Sequence, residues 1–498
     1  MLSPEDRVHV QKVSDVSLSP GMTDQPRRLP GDDILAPDKP FREALAWYGL
    51  SVLILTILTA LVVRQMLSLI APMLQASFGF SDFQIGMLQG LGIAIFACFA
   101  SYPMGGLADR FGRRLLLALG VGIWSCGTLF CAFQNTFGGL FVGSVGIAVG
   151  EAGLIPIVFA MIPDLFPERR RHIANVILYG GATLGAGIGI ALSGAMLKWL
   201  SNSASTLPAF FADLAMWRTA LIVLAAPGPV LILLIMSVPR RRRGRTVTLV
   251  ENPAPDDLMQ IWPYAKRHWR TLFLIFGAIF GKAVASTTTT SWYPLALPRA
   301  FGVDPTTVGV GLGAAVTGAT LLGLLLPGAV FGLFRRRGDV STIGAASLIV
   351  WLTPLPMLFL PFAATPFHAY ACAALTGVFI IASGALMPSL LQDIAPSHMR
   401  TRVLALYGIV TGLAYAVSPL TVGAISSVLH GSRGLLYSIS IVNVPVLFCA
   451  GLLLALAKKP YAESVASLHL QPGQTVEILK TFLPSERGTI PPSADARR

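Results

Sequence analysis

Charge is scarce in this chain. Only 12% of its 498 residues are Asp, Glu, Lys or Arg, against about 25% in a soluble domain. With 54% hydrophobic residues and a mean hydropathy of +0.69, so little charge cannot cover a water-facing surface, and a soluble globular domain is excluded. Acids are scarcest: 24 Asp and Glu stand against 37 Lys and Arg, a net charge of +13. That excess is not a nucleic-acid footprint, because the arginines fall in short clusters between apolar runs, where they set topology. The five cysteines (Cys98, Cys126, Cys131, Cys372, Cys449) have no paired spacing, so they read as packing residues rather than disulfides or metal ligands. The seven histidines show no ligand spacing either, and neither metal nor cofactor is expected. Glycine is abundant, at 49 residues. No Gly-rich stretch, however, has the strand context and terminal Lys-Ser/Thr of a nucleotide loop, so no catalytic residues and no enzyme activity are expected. The first apolar run begins near Trp47, behind a polar tail, too long and too late for the core of a cleaved signal peptide.

Long apolar runs are what the chain does have. They lie near 46–72, 84–104, 114–134, 138–162, 173–198 and 217–238, then near 271–297, 307–333, 340–362, 367–391, 402–428 and 434–457. About 20 apolar residues cross a bilayer, so the expected fold is an all-α membrane protein of about twelve transmembrane helices in two six-helix bundles. The expected division is a cytoplasmic tail over 1–44, a first bundle over 45–239, a central loop over 240–270, a second bundle over 271–458 and a second tail over 459–498. A short interfacial helix is expected at Phe41–Tyr48. Arg110, Arg113 and Arg114, Arg169 to Arg171, Arg240 to Arg243 with Arg245, Arg335 to Arg337, and Arg400 with Arg402 fall in alternate breaks. The intervening breaks 73–83, 134–137 and 361–367 hold no Lys or Arg. The asymmetry puts both termini in the cytoplasm of a multi-pass cell (inner) membrane protein, expected as a monomer in the lipid bilayer.

The break after the second run concentrates three glycines, three arginines and one acid in Gly105-Gly106-Leu107-Ala108-Asp109-Arg110-Phe111-Gly112-Arg113-Arg114. This turn resembles the signature loop between helices 2 and 3 of the major facilitator superfamily, Gly-x-x-Ala-Asp-Arg-x-Gly-Arg-Arg. The second half echoes it: Gly328 to Arg336 can be laid on Gly106 to Arg114, with Phe331 where the acid Asp109 stands. Repeats of this kind imply two bundles related by an axis along the membrane normal, with a site between them near the midplane.

Gly150-Glu151-Ala152-Gly153, followed by Asp164-Leu165-Phe166-Pro167-Glu168-Arg169-Arg170, resembles the fourth helix and following loop of the Spinster-type transporters. Arg64-Gln65 with Leu67-Ser68-Leu69, Leu391 to Pro396 with Arg400, and Ser418-Pro419-Leu420 with Gly423 resemble the same group. Two positions depart from it. Val63 stands where the group has Asp beside Arg64, and Ser144 stands where it has Arg seven residues before Glu151.

Glu151 is an acid near the middle of an apolar run, where a charge costs on the order of 2.5–3.5 kcal/mol. It is either a permanently paired structural carboxylate or a proton site, and Arg64 is the simplest partner. Arg64 could instead hold an anionic head group, since guanidinium suits carboxylate and phosphate. Lys282, in the seventh run, is a second buried cation that either snorkels to an interface or joins Arg64 in a clamp. The hydroxyls from Ser286 to Ser291 either satisfy the backbone near Pro294 or line a cavity. Trp292, Tyr179, Tyr407 and Tyr415 are candidate cavity aromatics, with packing or an interface belt as the alternative. The resemblance implies gating roles for Gly106, Asp109, Arg110, Gly112, Arg113 and Asp164: Asp109 facing the start of helix 11, Arg113 reaching Asp164.

The implied function is secondary transport by alternating access, proton-linked, of an amphiphilic or lipid-like organic anion. A transporter of small hydrophilic anions such as sugar acids is the alternative. A non-transporting sensor or scaffold is the alternative of another class.

Overall fold

The computed structural model describes residues 43–91, 107–108, 110–203, 208, 211, 213–238, 263–336, 342–395 and 400–469. These fall within one compact unit. Helices account for nearly all of them, and among the described residues eleven are long and apolar enough to cross a membrane. The remaining expected run, 84–104, enters as α3 (Asp82–Gly86) and a π-helical turn (Met87–Leu91), then passes beyond the described residues.

The first half comprises α1 (Glu43–Leu69), α2 (Ala71–Phe78), α3, α4 (Arg113–Ala132), α5 (Phe137–Glu151), α6 (Leu154–Leu165), α7 (Glu168–Asn202), α8 (Met216–Ala225) and α9 (Pro227–Ser237). The second comprises α10 (Trp269–Phe301), α11 (Pro305–Arg336), α12 (Thr342–Leu352), α13 (Pro354–Phe359), α14 (Pro366–Ile394), α15 (Arg400–Val428) and α16 (Gly434–His469). Together they form the all-helical, two-bundle membrane architecture expected from hydropathy.

Local chemistry sets the boundaries. Ser81 and Gln84 form a reciprocal capping box that starts α3, and the Thr136 and Thr365 hydroxyls cap α5 and α14. Gly112 holds φ +95°, a conformation L side chains rarely adopt, and α4 begins at the next residue. The fourth apolar run is broken at Ala152–Gly153, directly after Glu151.

Two boundaries differ from expectation. From Glu43 onward the chain is already α1, so its described part is no separate interfacial helix. Trp47 stacks edge-on against Phe166 and the Tyr48 hydroxyl meets Ser237, which ties this turn to its neighbours. The last helix also runs past the expected tail boundary at 459, to His469. Tyr461 donates to Asp393, and Ser464 bonds both Thr271 and His268, so the extension has partners to dock on.

The halves meet along small residues. α7 packs against α11, and α15 against α3 and the π turn. A Cβ on Gly194 would lie 2.7 Å from the Gly309 Cα, and one on Gly86 would lie 2.5 Å from the Pro419 carbonyl oxygen. Only glycine permits backbones this close.

Candidate functional site

A polar cavity of about 170 Å³ opens between the halves. The first half supplies Leu61, Arg64, Gln65, Leu67 and Ser68 from α1, Gln89 from the π turn, and Ala186 from α7. The second supplies Ser286, Thr287, Thr290 and Ser291 from α10 and Tyr415 from α15. Each polar residue here interrupts an apolar run, so it must turn inward or meet lipid at a cost of several kcal/mol.

Arg64 is half-buried in this wall, with its guanidinium carbon 5.7 Å from the centre of the Tyr415 ring. It forms no ion pair among the described residues. Glu151 feels Arg64 as its counter-charge, but the two do not close into an ion pair, and the buried Glu151 Oε1 has no hydrogen-bond donor among the described residues. The pairing considered from sequence is therefore a long-range attraction here.

The α10 hydroxyls do both things considered for them. Thr287 donates to the Ala283 carbonyl at 3.1 Å and Thr290 to that of Thr287 at 3.2 Å, while both line the cavity. Thr288 turns the other way, bonding Ser418 at 2.8 Å.

The other candidates are dispersed. Lys282 is 6% exposed and lies one helical turn before Ser286, outside the cavity wall. Its Nζ sits over Gly384 of α14, where an added Cβ would stand 2.9 Å away. Ser144 is buried, bonded to the Phe141 carbonyl, and lines a smaller apolar pocket. Trp292 is wholly buried beside Gly86, and its Nε1 is unpartnered among the described residues. Tyr179 is exposed on α7, and Tyr407 is partly buried against the core of the second half.

At one end of the molecule Arg113 Nη1 bonds the Ala160 carbonyl at 2.7 Å and Asp164 Oδ2 at 2.9 Å. Arg170 pairs with Glu43, and Arg171 bonds the Phe166 carbonyl. All of these join first-half elements to each other. Arg110 lies beside Phe111. Gly106 and Asp109 lie outside the described residues.

The opposite end carries a clasp that the sequence reading did not single out. Arg299, near the end of α10, takes both Asp82 oxygens at 2.7 and 2.8 Å and Gln75 Oε1 at 2.9 Å. Gln75 Nε2 and the Ser426 hydroxyl complete the shell of Asp82. Four segments of the two halves, α2, α3, α10 and α15, are thus tied by one carboxylate outside the apolar runs. Burial pushes this carboxyl up, but the hydrogen bonds from Arg299, Ser426 and Gln75 outweigh it and hold it below its ordinary value. An acid directly before an apolar run and an arginine directly after one were the available signals.

A two-bundle helical fold with a polar cavity at the seam and a polar clasp at one end defines a membrane carrier. The sequence model described as Major Facilitator Superfamily matches residues 53–419, and the chain belongs to that superfamily. Within it, the chain is 25% identical over 385 residues to the sphingosine-1-phosphate transporter SPNS2 of Xenopus tropicalis, covering 72% of this chain and 69% of that one. It is 26% identical over 399 residues to a probable sulfoacetate transporter of Cupriavidus necator, covering 75% and 86%. Its fold matches that of a bacterial homolog of the human lysosomal transporter Spinster, in an inward-facing, unoccupied conformation, with a TM-score of 0.68 at 20% identity, covering 86% and 98%.

Proposed function

We propose that the protein moves an organic anion across the membrane by alternating access, with Arg64 as the anchor for the anionic group. The observation that carries this is a guanidinium facing a polar cavity between the halves, with no carboxylate paired to it among the described residues. An unpaired cation at membrane depth is costly unless a ligand or water neutralises it. The bundles are taken as 45–239 and 271–458, with the Asp82 end outside and both termini cytoplasmic in the cell membrane. The structure then corresponds to the state shut on its outer side. The loop from Gly106 to Arg113 gates the inner side, and Glu151, with its orphan carboxyl oxygen, carries the coupling proton.

The substrate read first is an amphiphile with an anionic head. Its support is the similarity to a sphingosine-1-phosphate transporter. The second reading is a small hydrophilic organic anion, favoured by the modest cavity and by the similarity to a probable sulfoacetate transporter.

The test is thermal denaturation of the purified protein with lysolipids and sphingoid phosphates in one panel and small carboxylates and sugar acids in the other. A ligand at 100 times its Kd stabilises the fold by about 2.7 kcal/mol. A shift with the lipid panel that Arg64→Ala abolishes supports the first reading, and one confined to small acids supports the second. Binding without flux in liposomes would indicate a scaffold.

A further inference from the structure

The second membrane segment begins as α3 and then widens into the π turn Met87–Leu91. A single π turn re-aims the side chains that follow it and recurs at functional sites. Gln89 lies within this one. It is 8% exposed, and both its Oε1 and Nε2 are buried without a hydrogen-bond partner among the described residues. A buried carboxamide left unpaired on both atoms is a standing loss that an apolar side chain of the same size would avoid.

Its position gives that loss a purpose. Gln89 lines the polar cavity that holds Arg64, and it also lines the apolar pocket of about 20 Å³ formed with Ile85, Leu88, Leu74 and Leu140. Leu67 is the other residue shared by both walls. The carboxamide therefore stands at the junction between a cationic compartment and an apolar one. A pocket of this size takes about one water-sized group, so a methyl fits it and a long chain does not.

We propose that Gln89 is a substrate-binding residue that selects anions carrying a hydroxyl beside the charged group, with a short apolar substituent next to it. Both amide atoms are covered in this state; a small turn of the side chain into the cavity lets the hydroxyl donate to Oε1 and accept from Nε2, so one ligand group satisfies both. This rests on the reading of Arg64 as the anion anchor.

The test uses the full-length protein in detergent with two pairs of probes, each pair differing by one hydroxyl. Lactate and propionate represent free acids. 2-Hydroxypropyl phosphate and propyl phosphate represent a phosphate head group. Affinities are read by thermal shift for wild type, Gln89→Met and Arg64→Ala. In the wild type the hydroxylated member of the bound pair is expected to bind about tenfold more tightly. In Gln89→Met that preference falls to near unity, while the deoxy member keeps its affinity and the ligand-free melting temperature rises. In Arg64→Ala both members of the pair bind about thirtyfold more weakly. The pair that binds identifies the source of the anion.

A Gln89→Met protein that keeps the hydroxyl preference overturns the proposal and leaves the anion reading intact. A Gln89→Met protein that melts lower without ligand assigns the amide to packing and likewise overturns it. If neither pair shifts the wild type, the anion reading and the Gln89 proposal fall together.

Discussion

Arg299 holds Asp82 with both terminal nitrogens, Nη2 to Oδ1 at 2.7 Å and Nη1 to Oδ2 at 2.8 Å, across the seam between the two halves. Removing the carboxylate leaves a partly buried guanidinium with its charge unanswered. Truncating one member of such a pair costs about 2 kcal/mol or more. Asp82→Asn should therefore shift the closed–open balance by roughly thirtyfold toward opening at this end. The readout is labelling of a Ser291→Cys reporter, which lines the cavity, by an impermeant thiol reagent in a background without other cysteines. Unchanged labelling would show that the clasp does not hold the seam.

The same carboxyl fixes the pH behaviour of the clasp. Its folded-state pKa lies below the ordinary 3.8, so the ionised form is favoured when the clasp is closed. The contribution is complete above that value and is lost only as pH falls through the lowered pKa. The ratio of reporter labelling in Asp82→Asn to that in the wild type, in which the reagent's own dependence on thiolate cancels, should therefore be flat between about pH 5 and pH 8, outside the range where the clasp titrates. Any pH dependence of transport in that window must come from another group.

Glu151 is the group expected to supply it. Glu151→Gln should abolish concentrative, proton-driven uptake into liposomes while counterflow exchange of the substrate continues. Its exchange rate should no longer vary with pH. A mutant that still concentrates substrate against a gradient would remove Glu151 from the coupling mechanism.

The two buried cations should behave differently. Arg64→Ala, which empties the cavity wall of its charge, should weaken anion binding by about thirtyfold, the scale of a charge-assisted hydrogen bond pair. Lys282 points at Gly384 rather than into the cavity, so Lys282→Met should change affinity by less than about threefold, under 1 kcal/mol. Equal losses from both substitutions would restore a two-cation clamp.

The seam itself can be tested with a matched pair of glycines on α7. Gly194→Val drives a side chain onto the Gly309 backbone, so it should hold the seam apart, raise Ser291→Cys labelling and lower transport about tenfold or more. A Cβ on Gly180 meets nothing within 4 Å. Gly180→Ala should leave transport unchanged and stability equal or slightly higher, by up to about 1 kcal/mol.

The fold was legible because its signal is long-range in composition and local in sequence. A run of 20 apolar residues declares a membrane helix without reference to any partner, and arginine clusters mark the breaks. Single polar residues inside such runs were legible as candidates for the same reason, and Arg64, Thr287 and Thr290 do meet in one cavity. Which of them meet was not legible. Lys282 and Ser286 stand one turn apart on the same side of α10, and mainly height along the helix separates the α14 contact from the cavity. The clasp was missed because Gln75, Asp82, Arg299 and Ser426 each sit at the end of an apolar run, where polar residues are ordinary. Their convergence depends on helix ends 217 or more residues apart for Asp82 with Arg299 and with Ser426. Gln89 was hidden by a π turn that helical periodicity does not announce.

The contact between Gly194 and Gly309 brings two backbones together with no side chain between them. Most surfaces that dock must freeze rotamers as they close, at up to about 2 kcal/mol for a long side chain. Glycine has none to freeze, so this stretch of the seam can part and rejoin without ordering or disordering its own surface. On the alternating-access reading, the balance between shut and open then falls more heavily on the polar groups at the rim, the Asp82 clasp among them.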